Sequence, residues 1–197
     1  MKKIVIALII LLSMNVAFAA KVGTPAPDFT GTSSTAQEVS LAQYQGKYVV
    51  LQWHNKDCPY VQAQYDSGNM QKLQKEWTSK GVVWLTIISS AVGKQGYVDG
   101  NGAEADVRNT RAAPTATILD PAGKIGRAYR AQTTPHMFVI NPQGTLIYNG
   151  AIDNRATTSK TNVGGSINYV STALTEAMAG KPLNHPTSRP YGCSMKY

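Results

Sequence analysis

Two nearly uninterrupted apolar runs, Tyr48-Val49-Val50-Leu51-Gln52-Trp53 and Val82-Val83-Trp84-Leu85-Thr86-Ile87-Ile88, bracket a segment of helical periodicity that ends at Gly81. Runs without polar alternation suit strands buried on both faces, and such strands belong to sheets covered by helices on either side. Between them Val61, Tyr65, Met70, Leu73 and Trp77 recur at spacings of three to five, with Gly68 interrupting. That spacing predicts a long helix, kinked or broken near the glycine. Strand, helix and strand in that order make a parallel crossover unit, and with it an α/β fold.

The remaining chain extends this unit. Val22 to Phe29 contains Pro25 and Pro27 and reads as an extended lead-in, followed by a small polar stretch from Thr30 to Gln37. After the second strand, Ala91 to Gly102 is Gly-rich and polar, a long surface loop. The sequence then predicts a helix over Ala103 to Arg111, a strand over Thr115 to Leu119 and a helix over Ala122 to Arg130. Thr133-Thr134-Pro135 forms a turn ahead of a strand ending at Ile140, and Asn141-Pro142-Gln143-Gly144 joins that strand to Thr145 to Tyr148 as a hairpin. Asn154 to Gly165 is polar and reads as mobile. Ile167, Val170, Leu174 and Met178 mark a last amphipathic helix, and Gly180 to Tyr197 is a proline-containing, flexible tail.

The first residues carry an address. Met1-Lys2-Lys3, an apolar run from Ile4 to Leu12, and Ala17-Phe18-Ala19 have the form of a secretory signal peptide cut after Ala19. The run is short for a bilayer-spanning anchor. The expected organisation is therefore a signal peptide over 1–19, one domain over 20–182 and a tail over 183–197, exported to the periplasm or outside the cell, with no stable membrane association after cleavage. Setting Lys2 and Lys3 aside, 17 basic residues face 11 acidic ones, a net charge of +6. They are scattered, with no basic cluster or basic-aromatic stripe, so the sequence predicts no nucleic-acid partner.

Chemistry concentrates in Trp53-His54-Asn55-Lys56-Asp57-Cys58-Pro59-Tyr60-Val61-Gln62. Here a buried strand gives way to a helix starting near Pro59, and the first turn of a helix offers unpaired N–H groups and the positive end of the helix dipole. Both favour a thiolate over a thiol. The position three residues on, where a dithiol motif has its second cysteine, is Val61. Asp57 opposes the thiolate and Lys56 favours it. The other cysteine is Cys193, and in an oxidising compartment two cysteines allow one intramolecular disulfide. Such a bond, closing most of the chain into a loop, is worth about 4 to 5 kcal/mol in the chain-entropy model. A purely structural staple is thus an alternative to catalysis.

The order of elements, the Cys58-Pro59 turn and the Thr134-Pro135 turn together resemble the thioredoxin fold. Gly23-x-x-Ala26-Pro27-Asp28-Phe29 is similar to the N-terminal signature of redoxins. Cys58-Pro59-Tyr60-Val61 and the ending Gly192-Cys193-Ser194-Met195-Lys196-Tyr197 resemble the peroxiredoxin-like (AhpC/TSA-like) branch of that fold. The resemblance implies a central mixed sheet flanked by helices with an N-terminal extension. It also implies a cis Pro135 beside the reactive cysteine, with the Thr134 backbone free to pair with an extended substrate chain. Peroxiredoxins further use a proline seven residues before the cysteine, a threonine or serine three before it, and an arginine on a later strand. Here those places hold Leu51, Asn55 and, beside the Phe138 to Ile140 strand, Pro135, so peroxide reduction by the usual mechanism is not expected.

Thiol–disulfide exchange asks only for a low-pKa attacking thiol, access, and a second thiol. The candidate catalytic residues are Cys58 and Cys193, with Thr134, Pro135, Pro59 and Tyr60 as candidate substrate contacts. Expected partners are protein thiols or disulfides, or small peroxides, and a reductase, with no cofactor. A soft-metal site from His54, Cys58, His136, Cys193 and Met195 is not expected, because position 62, where a copper-binding turn has its second cysteine, is Gln62. His54 and His136 read as surface or turn residues and His185 as an exposed loop residue, whereas Trp53 reads as core. A thiol oxidoreductase is the leading expectation, with an idle scaffold stapled by Cys58-Cys193 and an atypical thiol peroxidase as alternatives.

Overall fold

The computed structural model describes residues 20–163 and 167–197, so the signal-peptide segment lies outside the described residues. Among the described residues, no helix is long and apolar enough to cross a membrane. The strands are β1 (Thr30–Ser33), β2 (Glu38–Ser40), β3 (Val49–Trp53), β4 (Val83–Ile88), β5 (Ala116–Leu119), β6 (Thr133–Thr134), β7 (His136–Ile140), β8 (Leu146–Gly150) and β9 (Cys193–Ser194). The helices are α1 (Pro59–Asp66), α2 (Asn69–Ser79), α3 (Gly100–Thr110), α4 (Lys124–Tyr129) and α5 (Tyr169–Met178).

Seven strands form one mixed sheet in the order β2-β1-β5-β4-β3-β7-β8. The β3–β4 and β4–β5 pairs are parallel, as the crossover pattern requires, and β7 runs antiparallel to β3 with Trp53 opposite His136. Alternation along β3 divides the core. Val50 faces one side, with Trp84, Met137 and Tyr148, under Met70, Leu73 and Trp77 of α2 and Val170 and Leu174 of α5. Val49, Leu51 and Trp53 face the other, with Leu85, Ile87 and Phe138, under Phe29 and Ile125 and Tyr129 of α4. This is the thioredoxin-like fold, a helix-flanked mixed sheet with an N-terminal extension. The extension is tied down by backbone hydrogen bonds to the β7–β8 hairpin, among them Gly23 N–H to Leu146 O and Ala26 N–H to Gly144 O.

The predicted helix break is real. α1 ends at Asp66 with Ser67 as its C-cap, and Gly68 caps the start of α2 at φ +77°, a left-handed conformation that favours glycine. Several expectations are corrected. The polar stretch after Phe29 supplies strand β1 and, with β2, a hairpin on the sheet edge, because β1 pairs with β5 through Thr32 and Leu119. The loop after β4 ends earlier than expected, since Asp99 caps α3 by accepting from Gly102 N–H and starts that helix at Gly100. In α5, Ile167 precedes the helix and is 54% exposed, and Met178 is 45% exposed. The buried stripe is Val170, Ala173 and Leu174. The polar segment after Asn154 contains a 3-10 turn over Lys160–Asn162, and its residues 164–165 lie outside the described residues.

Candidate active site

The turn after β3 is held by its own backbone. His54 N–H donates to Ile87 O, Cys58 N–H donates to Asn55 O at 3.0 Å, and Asp57 N–H donates to the Asn55 side chain at 2.9 Å. These bonds place Cys58 at the N-cap of α1 with extended φ and ψ, and Pro59 at the first helical position, where a missing N–H costs nothing. The sequence left Lys56 and Asp57 in competition. In the structure they pair at 2.6 Å, and Asp57 also accepts from Gly96 N–H at 3.0 Å. The Lys56 ammonium holds the Asp57 carboxyl below its usual range.

Cys58 faces Thr134 and Cys193. The Thr134–Pro135 peptide is cis, and the protonated Cys58 thiol donates to Thr134 O at 3.1 Å. β9 pairs antiparallel with β6, so that Thr134 stands opposite Cys193 and Thr133 opposite Ser194. Both cysteines are free thiols. Burial is the largest influence on the Cys58 thiol and pushes its pKa up. It is outweighed by groups placed to favour the thiolate, the Cys193 thiol first, then the Val61 N–H of the first turn of α1, the Thr134 side chain and the Cys193 N–H, which leave the pKa below the ordinary thiol value. Cys193 moves oppositely: burial first, then its bond to Cys58 and the charge on Cys58, push it up to about 12. The two shifts are opposite in sign, so Cys58 is the thiol of the pair that ionises first.

Two expectations about access are corrected here. The tail is not a free arm. Tyr191 donates its hydroxyl to Asp153 Oδ1 at 2.6 Å, Ala91 N–H donates to Lys196 O at 2.8 Å, and Tyr197 donates to Ala131 O under the Arg127 guanidinium. Asp153 is itself buried and accepts a second bond from Gln64 at 2.9 Å. Nor is Cys58 exposed, because the tail, Tyr60 and Thr134 close over it and its exposure is 0%. Tyr60 packs on Tyr191 with ring centroids 5.8 Å apart, and Pro59 is exposed. A cavity of about 590 Å³ lies beside this site, lined by Asp153, Tyr169, Ser188 and Gly192 among others.

The histidine readings also change. His54 is 3% exposed and its Nε2 lies 2.8 Å from Asp106 Oδ2 of α3. His136 is 1% exposed and bonded to Asn149 and to Gln132 N–H, and burial lowers its pKa to about 4. Each has its own partner at its own place in the fold. His185 is exposed and Trp53 is fully buried, as read. Leu51 is core, and Asn55 spends its side chain on Asp57 N–H and Gln95 O. Sequence reasoning missed Tyr191, Asp153 and Gln64 as the anchor of the tail. No local pattern marks them, since the contacts span 38 and more positions.

The chain matches the AhpC/TSA family over residues 22–149 and belongs to that family. The matched span contains Cys58, Thr134 and Pro135 and ends before Cys193. Over 45 residues the chain is 47% identical to peroxiredoxin-2 of Rattus norvegicus, a stretch that is 21% of this chain and 23% of that protein. An uncharacterised conserved protein of Geobacillus kaustophilus superposes with a TM-score of 0.79 at 20% identity, over 90% of this chain and 92% of that one. A secreted Mycobacterium tuberculosis disulfide oxidoreductase homologous to E. coli DsbE superposes with a TM-score of 0.52 at 20% identity, over 70% of this chain and 92% of that one. Fold and family together define a thioredoxin-like protein of the AhpC/TSA family.

Proposed function

We propose that the protein is an exported thiol oxidoreductase in which Cys58 is the nucleophile and Cys193 the resolving thiol. The observation that carries this reading is the pairing of Thr134 with Cys193, which sets the second thiol against a cysteine whose thiolate is favoured. With a disulfide substrate, the Cys58 thiolate forms a bond to one sulfur and the other leaves as a thiolate. Cys193, after giving up its proton, then attacks the Cys58 sulfur and releases the substrate's second thiolate, leaving a Cys58-Cys193 disulfide that a reductase reopens with two electrons and two protons. With a peroxide, Cys58 takes one oxygen to become a sulfenic acid, the alkoxide takes a proton, and Cys193 condenses with the sulfenic acid to expel water. Export rests on the signal-like residues 1–19 and fits the secreted neighbour of the same fold. Thr134 and Pro135, with Pro59 and Tyr60 at the rim, are the proposed substrate contacts.

The test is a quenched reaction of reduced protein with a disulfide substrate. A mixed disulfide on Cys58 accumulates in Cys193→Ser, while the wild type passes on to an intramolecular bond. Absence of any Cys58 adduct in Cys193→Ser overturns the reading. The complete burial of Cys58 favours a second one, a structural staple. A Cys58-Cys193 bond that resists cellular reductants supports the staple, and one that opens readily supports catalysis.

A further inference from the structure

The edge that the proposed reaction needs for its substrate chain is occupied by the protein's own tail. Cys193 and Ser194 run antiparallel along Thr134 and Thr133, Met195 N–H donates to Gln132 O at 3.2 Å, and Cys58 lies sealed beneath. Two features of the seat are specific. Gly192 has φ +134°, and a Cβ there would collide with the Thr134 carbonyl oxygen, so no side chain fits before the cysteine. One residue earlier, Tyr191 lies against Tyr60 with its hydroxyl on the buried Asp153. The ladder itself is only two residues long, and a cavity of about 590 Å³ borders residues 188–192 of this tail.

We propose that this edge docks an extended aromatic-Gly-Cys segment of a partner protein, and that the strap over residues 190–196 is its intramolecular competitor. The inference rests on Cys58 being the nucleophile. A partner strand following the strap's path gains the same backbone pairing along Thr133–Thr134 and delivers its cysteine sulfur to Cys58. Any residue other than glycine before that cysteine meets the Thr134 carbonyl. When the partner cysteine is part of a disulfide, the Cys58 thiolate bonds to it and its former sulfur partner leaves as the thiolate.

The test uses the full chain carrying Cys193→Ser, which keeps the strap and removes the competing thiol. The probe is the peptide Pro-Tyr-Gly-Cys-Ser-Met-Lys, its cysteine in a mixed disulfide with thionitrobenzoate, whose release is followed by absorbance. A second peptide replaces the glycine by alanine, and a second protein adds Gly192→Ala to unseat the strap. The glycine peptide is expected to react roughly tenfold or more faster than the alanine peptide, and Gly192→Ala to accelerate the glycine peptide roughly tenfold or more. Should Gly192→Ala fail to fold, Tyr191→Phe, which removes only the anchoring hydroxyl, replaces it with the same expected direction. Equal rates for the two peptides, or no acceleration on loosening the strap, overturn the inference while leaving Cys58 as nucleophile. Failure of Cys58 to react with either peptide in any variant overturns both.

Discussion

Thr134 meets Cys58 twice: its carbonyl oxygen accepts from the thiol at 3.1 Å, while its hydroxyl is buried and has no hydrogen-bond partner among the described residues. A buried hydroxyl without a partner is a cost to the fold. The same side chain is among the groups that lower the Cys58 pKa, so the hydroxyl gains its partner when the sulfur becomes charged. Thr134→Val keeps the shape and removes the donor. We expect it to stabilise the reduced fold by about 1 kcal/mol in chemical denaturation. We also expect it to raise the Cys58 pKa and slow its alkylation at neutral pH, two opposite signs that a merely structural threonine would not produce.

Removing the Cys193 thiol deprives Cys58 of its strongest supporting hydrogen bond. In the wild type, ultraviolet absorbance against pH is expected to show one thiol ionising below the ordinary cysteine range and a second near the value of about 12 to which Cys193 is pushed. In Cys193→Ala the second transition disappears and the first moves up in pH.

His136 makes a prediction about acid stability. Its folded pKa of about 4 lies below the ordinary histidine value because the ring is buried, so the unfolded chain binds a proton first as pH falls. Stability from this residue is complete above the unfolded value of about 6.5 and is lost progressively down to about pH 4, by about 3 kcal/mol. Denaturation midpoints measured across that window should fall in the wild type and fall less in His136→Asn.

Much of the sheet was legible because β3, β4, β5 and β7 are apolar runs whose burial on both faces leaves a plain trace in sequence. β1 was not, since Thr30-Gly31-Thr32-Ser33 has no apolar side chain, and Gly31 lies where a Cβ would press on Ile118. The turn that puts Cys58 at the start of α1 could be read from Cys58 and Pro59 alone, because helix N-terminal preferences are local. The seat of Cys193 could not, since it depends on Asp153 and Gln64 reaching Tyr191 and on Gly192 crossing Thr134. The histidines misled for a related reason: the partner that makes His54 a buried residue, Asp106, is 52 positions away.

Asn55 occupies the place where the peroxiredoxin pattern has a hydroxyl, yet its side chain is already committed to Asp57 N–H and Gln95 O. Installing the hydroxyl with Asn55→Thr is therefore expected to cost about 1 to 3 kcal/mol in denaturation rather than confer activity. Stopped-flow mixing with hydrogen peroxide should give slow thiol loss in both proteins. Rapid, saturable loss in the variant would show that the hydroxyl alone had been missing.

If Cys58 and Cys193 act as one redox unit, as proposed, their oxidation is coupled. The most direct measurement equilibrates the full chain in dithiol–disulfide buffers of graded potential, then alkylates the unfolded protein and maps both cysteines by mass spectrometry. The two thiols are expected to disappear together at a single potential, with one peptide pair linked through Cys58 and Cys193. A Cys58 that stays free while the buffer is fully oxidising, or that is lost at a potential different from Cys193, would contradict that coupling.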